Sequence, residues 1–351
     1  MINSSNNHSN KIFEIECLRG FAALYVVLFH VIRPELQEYS YIISIPFRFG
    51  QEAVILFFLL SGFCINYSWS FKSEQNVKIF AKDRFIRLVP IYIIALLISY
   101  VCASLYAGYF IDVDSPTLVG NMLFLQDRIR QGTIVPPYMG NEALWSLSYE
   151  VAFYIFYYLV NTYINERYRT FVVSITTSIF FLIMLVYPNQ ISRFVSYFCI
   201  WWLGAVMSEL YLGRVMFKEI IFAILPILFI SSCLLILAYQ SPTAIDIGNS
   251  NIFPYLELRH FVSAIFIALF LIGWAATGWP FFKQLFGPFV VIAPISYALY
   301  VLHFPIMVGA RSALDMQSWL SILITATVTL LLSMLLEGPF QKFVNRKFKG
   351  Q

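Results

Sequence analysis

Residues 15–35 read IECLRGFAALYVVLFHVIRPE, with an arginine at each end, an apolar run between them and one histidine, His30, near the far end. A helix turns about 100° and rises about 1.5 Å per residue, so the eleven residues from Arg19 to His30 return to nearly the same face about 16 Å further along. The run is long enough to span hydrocarbon, which places Arg19 at one surface and His30 past the middle. An ionisable side chain at that depth faces protein or a water-filled cavity. Two roles fit it: a buried histidine hydrogen-bonded to a neighbouring helix, or a chemical group.

Composition extends this reading to the whole chain. Of 351 residues, 60% are hydrophobic, 18% aromatic and only 12% charged, with mean hydropathy +0.74. A soluble domain carries about a quarter charged residues. The expected fold is all-α, a polytopic membrane helix bundle in a single domain over residues 1–351. Apolar windows recur near 15–33, 50–69, 89–110, 143–160, 170–188, 194–212, 219–239, 260–279, 288–308 and 318–336, so about ten transmembrane helices are expected. With the first terminus in the cytoplasm, 16 of the 23 basic residues fall inside, from Lys11 and Arg19 to Lys349. Arg33, Arg48, Arg128, Arg130, Arg193, Arg259 and Arg311 fall outside. The positive-inside rule thus puts both termini in the cytoplasm. The net charge of +4 leaves no nucleic-acid footprint.

The first span lacks a short basic n-region and a small-residue cleavage site, so it reads as a retained helix rather than a signal peptide. Cys17, Cys64, Cys102, Cys199 and Cys233 sit in or beside spans, with no spacing that suggests a metal or a disulfide framework. The longest loops, both on the external side, are 111–142 and then 241–257.

Polar residues recur at four further places. In KSEQNVKIFAKDRFIRLVP (72–90), apolar and basic residues alternate, which predicts a basic interfacial helix before Pro90 starts the next span. Arg84 and Arg87, three apart, can turn two guanidinium forks to one site, suited either to a phosphate ligand or to anionic lipid. In ALWSLSYEVAFYIFYYL (143–159), Ser146, Glu150 and Tyr154 form a polar line on one helix face. Glu150 is expected in the same external half as His30, where it either orients that imidazole or makes a purely structural pair. ISYALYVLHFPI (295–306) adds His303 near an external end, and LLEGPFQK (335–342) adds Glu337 at a cytoplasmic end; both read first as structural.

Taken in order, LRGFAALYVVLFH, AVILFFLLSGFCI, RFIRLVPIY, LWSLSYEVAFYIF with Trp145, ISYALYVLHFPI and EGPF closely resemble the acyltransferase-3 family of integral-membrane O-acyltransferases that modify bacterial surface glycans. The resemblance covers nearly the whole chain. It departs from the family at Ala53 and Ile55, where relatives commonly have glycine and a polar residue. The resemblance implies that His30 is catalytic, that Arg19 is essential to the same motif, and that Arg84 and Arg87 serve acyl-coenzyme A, most often acetyl-CoA. Glu150 becomes a further catalytic candidate; Ser146, Trp145, His303 and Glu337 are supporting candidates. The implied partners are membrane lipids, acyl-CoA and a lipid-linked or surface glycan acceptor, with no metal, in the bacterial inner membrane. Some relatives carry a hydrolase-like domain after the last span, whereas only about fifteen residues follow it here, so the bundle is expected either to acylate the acceptor itself, the simpler case, or to hand the acyl group to a separate protein. A proton-coupled secondary transporter is the rival reading, but no inverted repeat with paired broken helices is visible.

Overall fold

Apolar runs this long satisfy their own backbone hydrogen bonds only as helices, and helices are what form. The computed structural model describes residues 12–72, 76–240, 253–309, 311 and 318–349, and these contain helices and an isolated bridge but no strand. Lys11 and most of the expected 241–257 loop lie outside the described residues. The principal helices are α1 (Phe13–Tyr39), α2 (Gly50–Ser70), α3 (Val77–Ala107), α4 (Trp145–Tyr163), α5 (Arg169–Val186), α6 (Gln190–Tyr211), α7 (Phe217–Gln240), α8 (Pro254–Ala276), α9 (Ser296–His303), α10 (Ser318–Leu335) and α11 (Gln341–Lys349). Nine of the described helices are long and apolar enough to cross a membrane. Successive spans run in opposite directions; the end where α1 begins is called lower.

α6 is the central post. Nearly all of it is buried, including Arg193, and it packs on α2, α5 and α7. Its crossing with α2 is close because both helices present glycine there. A Cβ on Gly204 would lie 2.0 Å from the Leu59 carbonyl oxygen, and one on Gly62 would lie 2.0 Å from that of Trp201. Small residues permit backbones to approach where apolar burial alone gives no net drive in lipid.

Two expectations change. The basic stretch before Pro90 is not a separate interfacial helix: α3 runs unbroken through it, with Asn76 capping the start by accepting from Lys78 N at 2.8 Å. Proline normally breaks a helix because it leaves the carbonyl four residues earlier without a donor. Here Gln341 Nε2 donates to the Ile86 carbonyl at 2.9 Å and supplies the missing bond. The ninth span, expected as one helix over 288–308, is instead a chain of pieces: a 3₁₀ turn at Gly287–Val291, another at Ala293–Ile295, the short α9, and a π turn at Phe304–Gly309. Pro288, Pro294 and Pro305 explain the breaks. The Val301 carbonyl that Pro305 leaves free accepts from Asn141 Nδ2 at 3.1 Å.

The 111–142 connection is not a plain loop. It carries a short helix, Ser115–Met122, and then folds into the upper bundle on a buried polar network. Asp127 accepts from Arg193 Nε at 3.0 Å, from Arg130 and from the Tyr149 hydroxyl at 3.1 Å, while Arg130 also donates to Glu257 at 2.6 Å.

Candidate active site

Three arginines surround one cavity of about 170 Å³ between α1, α2, α3, α4 and α9. Arg19, Arg84 and Arg87 stand toward its lower end, and Ser61, Glu150, Tyr154, Ser146 and Tyr300 supply hydroxyls and a carboxylate above them. The polar line expected on α4 therefore faces this space in full.

Each charge is held differently. Arg19 pairs with Glu16 at 2.9 Å and donates to the Ala293 carbonyl at 3.0 Å. That second bond needs close approach of α1 to the broken ninth span, and Gly20 provides it: a Cβ there would sit 2.0 Å from the Phe289 carbonyl oxygen. Arg84 lies over the rings of Phe80 and Tyr154, 5.9 Å from each centroid, with its Nε buried and unpartnered. Arg87 is paired with the buried carboxylate of Glu337, so Glu337 occupies one of the two forks expected to face a ligand.

Glu150 does not reach His30. Its carboxylate accepts from Ser61 Oγ at 3.0 Å and from the Tyr154 hydroxyl, and no hydrogen bond joins it to the histidine. Ser61 also accepts from Trp201 Nε1 at 3.1 Å, so the polar contact from α2 comes from this serine rather than from the departing positions Ala53 and Ile55.

His303, expected at an interface, is instead wholly buried beside His30, with ring centroids 5.4 Å apart. Its Nδ1 lies 2.7 Å from the Tyr300 carbonyl, an acceptor only, so Nδ1 carries the proton. Nε2 is left as a buried acceptor with no partner. Phe29 and Phe304 set the His30 ring edge-on from two sides. His30 is not among the residues lining the cavity. Between them stands Tyr300, whose hydroxyl meets Ser146 Oγ at 2.7 Å and whose ring centroid lies 6.0 Å from that of His303. Trp145 packs on Phe58, Tyr149 and His260 and, like His30, is not among the residues lining the cavity.

Neither Tyr300 nor Ser61 stood out in the sequence, since a tyrosine or serine in an apolar helix carries no period or charge of its own. What marks them is their partners on distant helices.

Comparison with known families gives a match to the acyltransferase-3 model, described as an acyltransferase domain, over residues 12–338. The chain is also similar to the acyltransferase MdmB of Streptomyces mycarofaciens, 32% identical over 143 residues, an alignment covering 39% of this chain and 36% of that protein. No solved structure matches. The family match takes in every principal helix from α1 to α10 and all nine candidate site residues, and on that span the chain belongs to the acyltransferase-3 family.

Proposed function

We propose that this protein transfers an acyl group, most simply acetyl, from cytosolic acyl-CoA to a hydroxyl of a cell-surface glycan or its lipid-linked precursor. The reading places it in the bacterial inner membrane with both termini, and so the lower end, in the cytoplasm. The observation that carries it is the gathering of Arg19, Arg84 and Arg87 around one cavity whose upper wall, Ser146 and Tyr300, leads to the His30–His303 pair.

The chemistry follows from the charges. Guanidinium groups bind phosphate bidentately, so the coenzyme's phosphates belong at Arg84 and, in exchange with Glu337, at Arg87. The pantetheine arm would extend up the cavity. Reaching His30 requires the Ser146–Tyr300 contact to part, which is a movement of one tyrosine side chain. His30 then takes the proton of the acceptor hydroxyl as its oxygen bonds to the thioester carbon. The carbonyl electron pair moves onto oxygen, returns as the carbon–sulfur bond breaks, and the departing thiolate recovers the proton from His30. His303, its Nδ1–H fixed on a carbonyl, steadies the charged His30 imidazole through its free Nε2.

The test is single-turnover transfer from labelled acetyl-CoA in inside-out membrane vesicles of the producing cells, where the natural acceptor is present. His30→Gln keeps size and hydrogen bonding. It is expected to reach the membrane and bind desulfo-CoA normally, yet to lose about 10²- to 10⁴-fold in rate. Near-normal turnover would overturn the assignment of His30 as base.

A further inference from the structure

Four arginines of the upper half are matched to carboxylates: Arg130 with Glu257, Arg193 with Asp127, Arg259 with Glu52 and Arg311 with Glu35. Arg128 is not. Among the described residues its half-buried guanidinium has no hydrogen-bond or ion-pair partner, and it lies 4.5 Å over the ring of Trp145. Stacking occupies the face of a guanidinium and leaves its N–H edge available.

The backbone around it is pinned. Arg128 N donates to the Asp127 carboxylate at 2.8 Å, and its carbonyl accepts from Thr133 Oγ1 at 2.7 Å. Asp127 and Arg130 on either side are used up in the buried network, while the side chain between them is turned onto Trp145. The next residue in the chain is Ser146, whose hydroxyl meets Tyr300, and beyond Tyr300 lie His303 and His30. His30 and Tyr300 both lie within electrostatic reach of Arg128.

We infer that Arg128 stabilises the oxygen anion that forms on the thioester carbonyl when the acceptor attacks beside His30. This rests on the acyl-transfer reading above. A fixed cation that no carboxylate hydrogen-bonds in the resting site, Asp127 and Glu142 acting on it only through space, is an arrangement that favours charge appearing during reaction, because its donors need no reorganisation when the anion forms. Burial, reinforced by Arg130, lowers the pKa of the Arg128 guanidinium from its ordinary value. A nearby anion relieves that cost. Acyl transfer generates such an anion whichever hydroxyl attacks, so the role does not depend on the identity of the acceptor.

The test uses the same inside-out vesicles, with the full-length protein replaced by Arg128→Gln, Arg128→Lys or His30→Gln. For Arg128→Gln the maximum rate of transfer from acetyl-CoA is expected to fall about 10²- to 10³-fold. Its KM for acetyl-CoA and its desulfo-CoA affinity should stay within about twofold, as expected when an interaction made only in the transition state is lost. Arg128→Lys keeps the charge without the fork and should recover about tenfold of that loss. Three results would overturn the inference: an unchanged maximum rate in Arg128→Gln; a loss made good by fusing the vesicles with liposomes of the cells' own glycolipid, which would make Arg128 an acceptor-binding group; or equal loss in the lysine and glutamine variants together with lost desulfo-CoA binding, which would make it structural. Normal turnover of His30→Gln beside a slow Arg128→Gln would remove the base and leave the anion site standing, so the two failures are distinguishable.

Discussion

At the foot of the cavity, Arg84 keeps its N–H donors uncommitted to any carboxylate, whereas Arg87 is clasped by Glu337. The two arginines of one motif are therefore expected to respond differently. Arg84→Ala loses a charge-assisted contact to phosphate, about 1.5–3 kcal/mol, and should weaken desulfo-CoA binding in calorimetry about 10- to 150-fold. Arg87→Ala strands a buried carboxylate as well, so it should also lower the unfolding temperature. Arg87→Gln combined with Glu337→Gln should restore that temperature without restoring affinity. Equal thermal stability of the two single variants would contradict the pairing. The sequence reached Arg84, Arg87, Arg19 and His30 because each is an ionisable group placed at helical spacing in an apolar run. It did not reach the Ser146–Tyr300 contact, whose members are 154 residues apart, nor the commitment of Glu150 to Ser61, 89 residues away. Spacing along one helix says which face a group is on, not which of ten neighbours meets it.

Helices in this bundle are shaped by what replaces a missing hydrogen bond and by what lets backbones touch. Pro90, Pro226 and Pro305 each free a carbonyl one turn earlier, and Gln341, Ser174 and Asn141 respectively donate to it from another element. Gln341→Ala should then cost about 1–3 kcal/mol, the desolvation of an unsatisfied carbonyl, read by thermal unfolding in detergent; a neutral result would mean that Pro90 needs no such donor. At the α2–α6 crossing, Gly204→Ala drives a methyl into a backbone carbonyl and should destabilise by about 1–3 kcal/mol. Gly273→Ala, with nothing within 4 Å of the new carbon, should be neutral or stabilising by up to about 1 kcal/mol. The existence and order of the spans were legible from hydropathy. The broken ninth span was not, because apolar content there is continuous and only the donors lost at three prolines divide it.

Across the whole molecule, charge is divided by use. Basic residues of the lower end are mostly half-exposed or exposed, while four upper arginines are neutralised within the bundle. Asp127→Ala would leave the buried guanidinium of Arg193 without a carboxylate, Arg130 keeping Glu257, and should cost about 3–5 kcal/mol, far more than loss of the half-exposed Lys72–Asp83 pair, about 0–1 kcal/mol. Comparable unfolding temperatures for Asp127→Ala and Asp83→Ala would refute the difference.

The hydroxyl contact between Ser146 and Tyr300 has a consequence for the cell as a whole. A column of arginines, a carboxylate and hydroxyls rising through the bundle toward two buried histidines is a path along which water and protons can travel. A cell that depends on its membrane potential cannot tolerate many such paths left open. Tyr300, its hydroxyl 2.7 Å from Ser146 Oγ, stands across that column and is expected to keep the resting protein from adding conductance to the membrane that holds it.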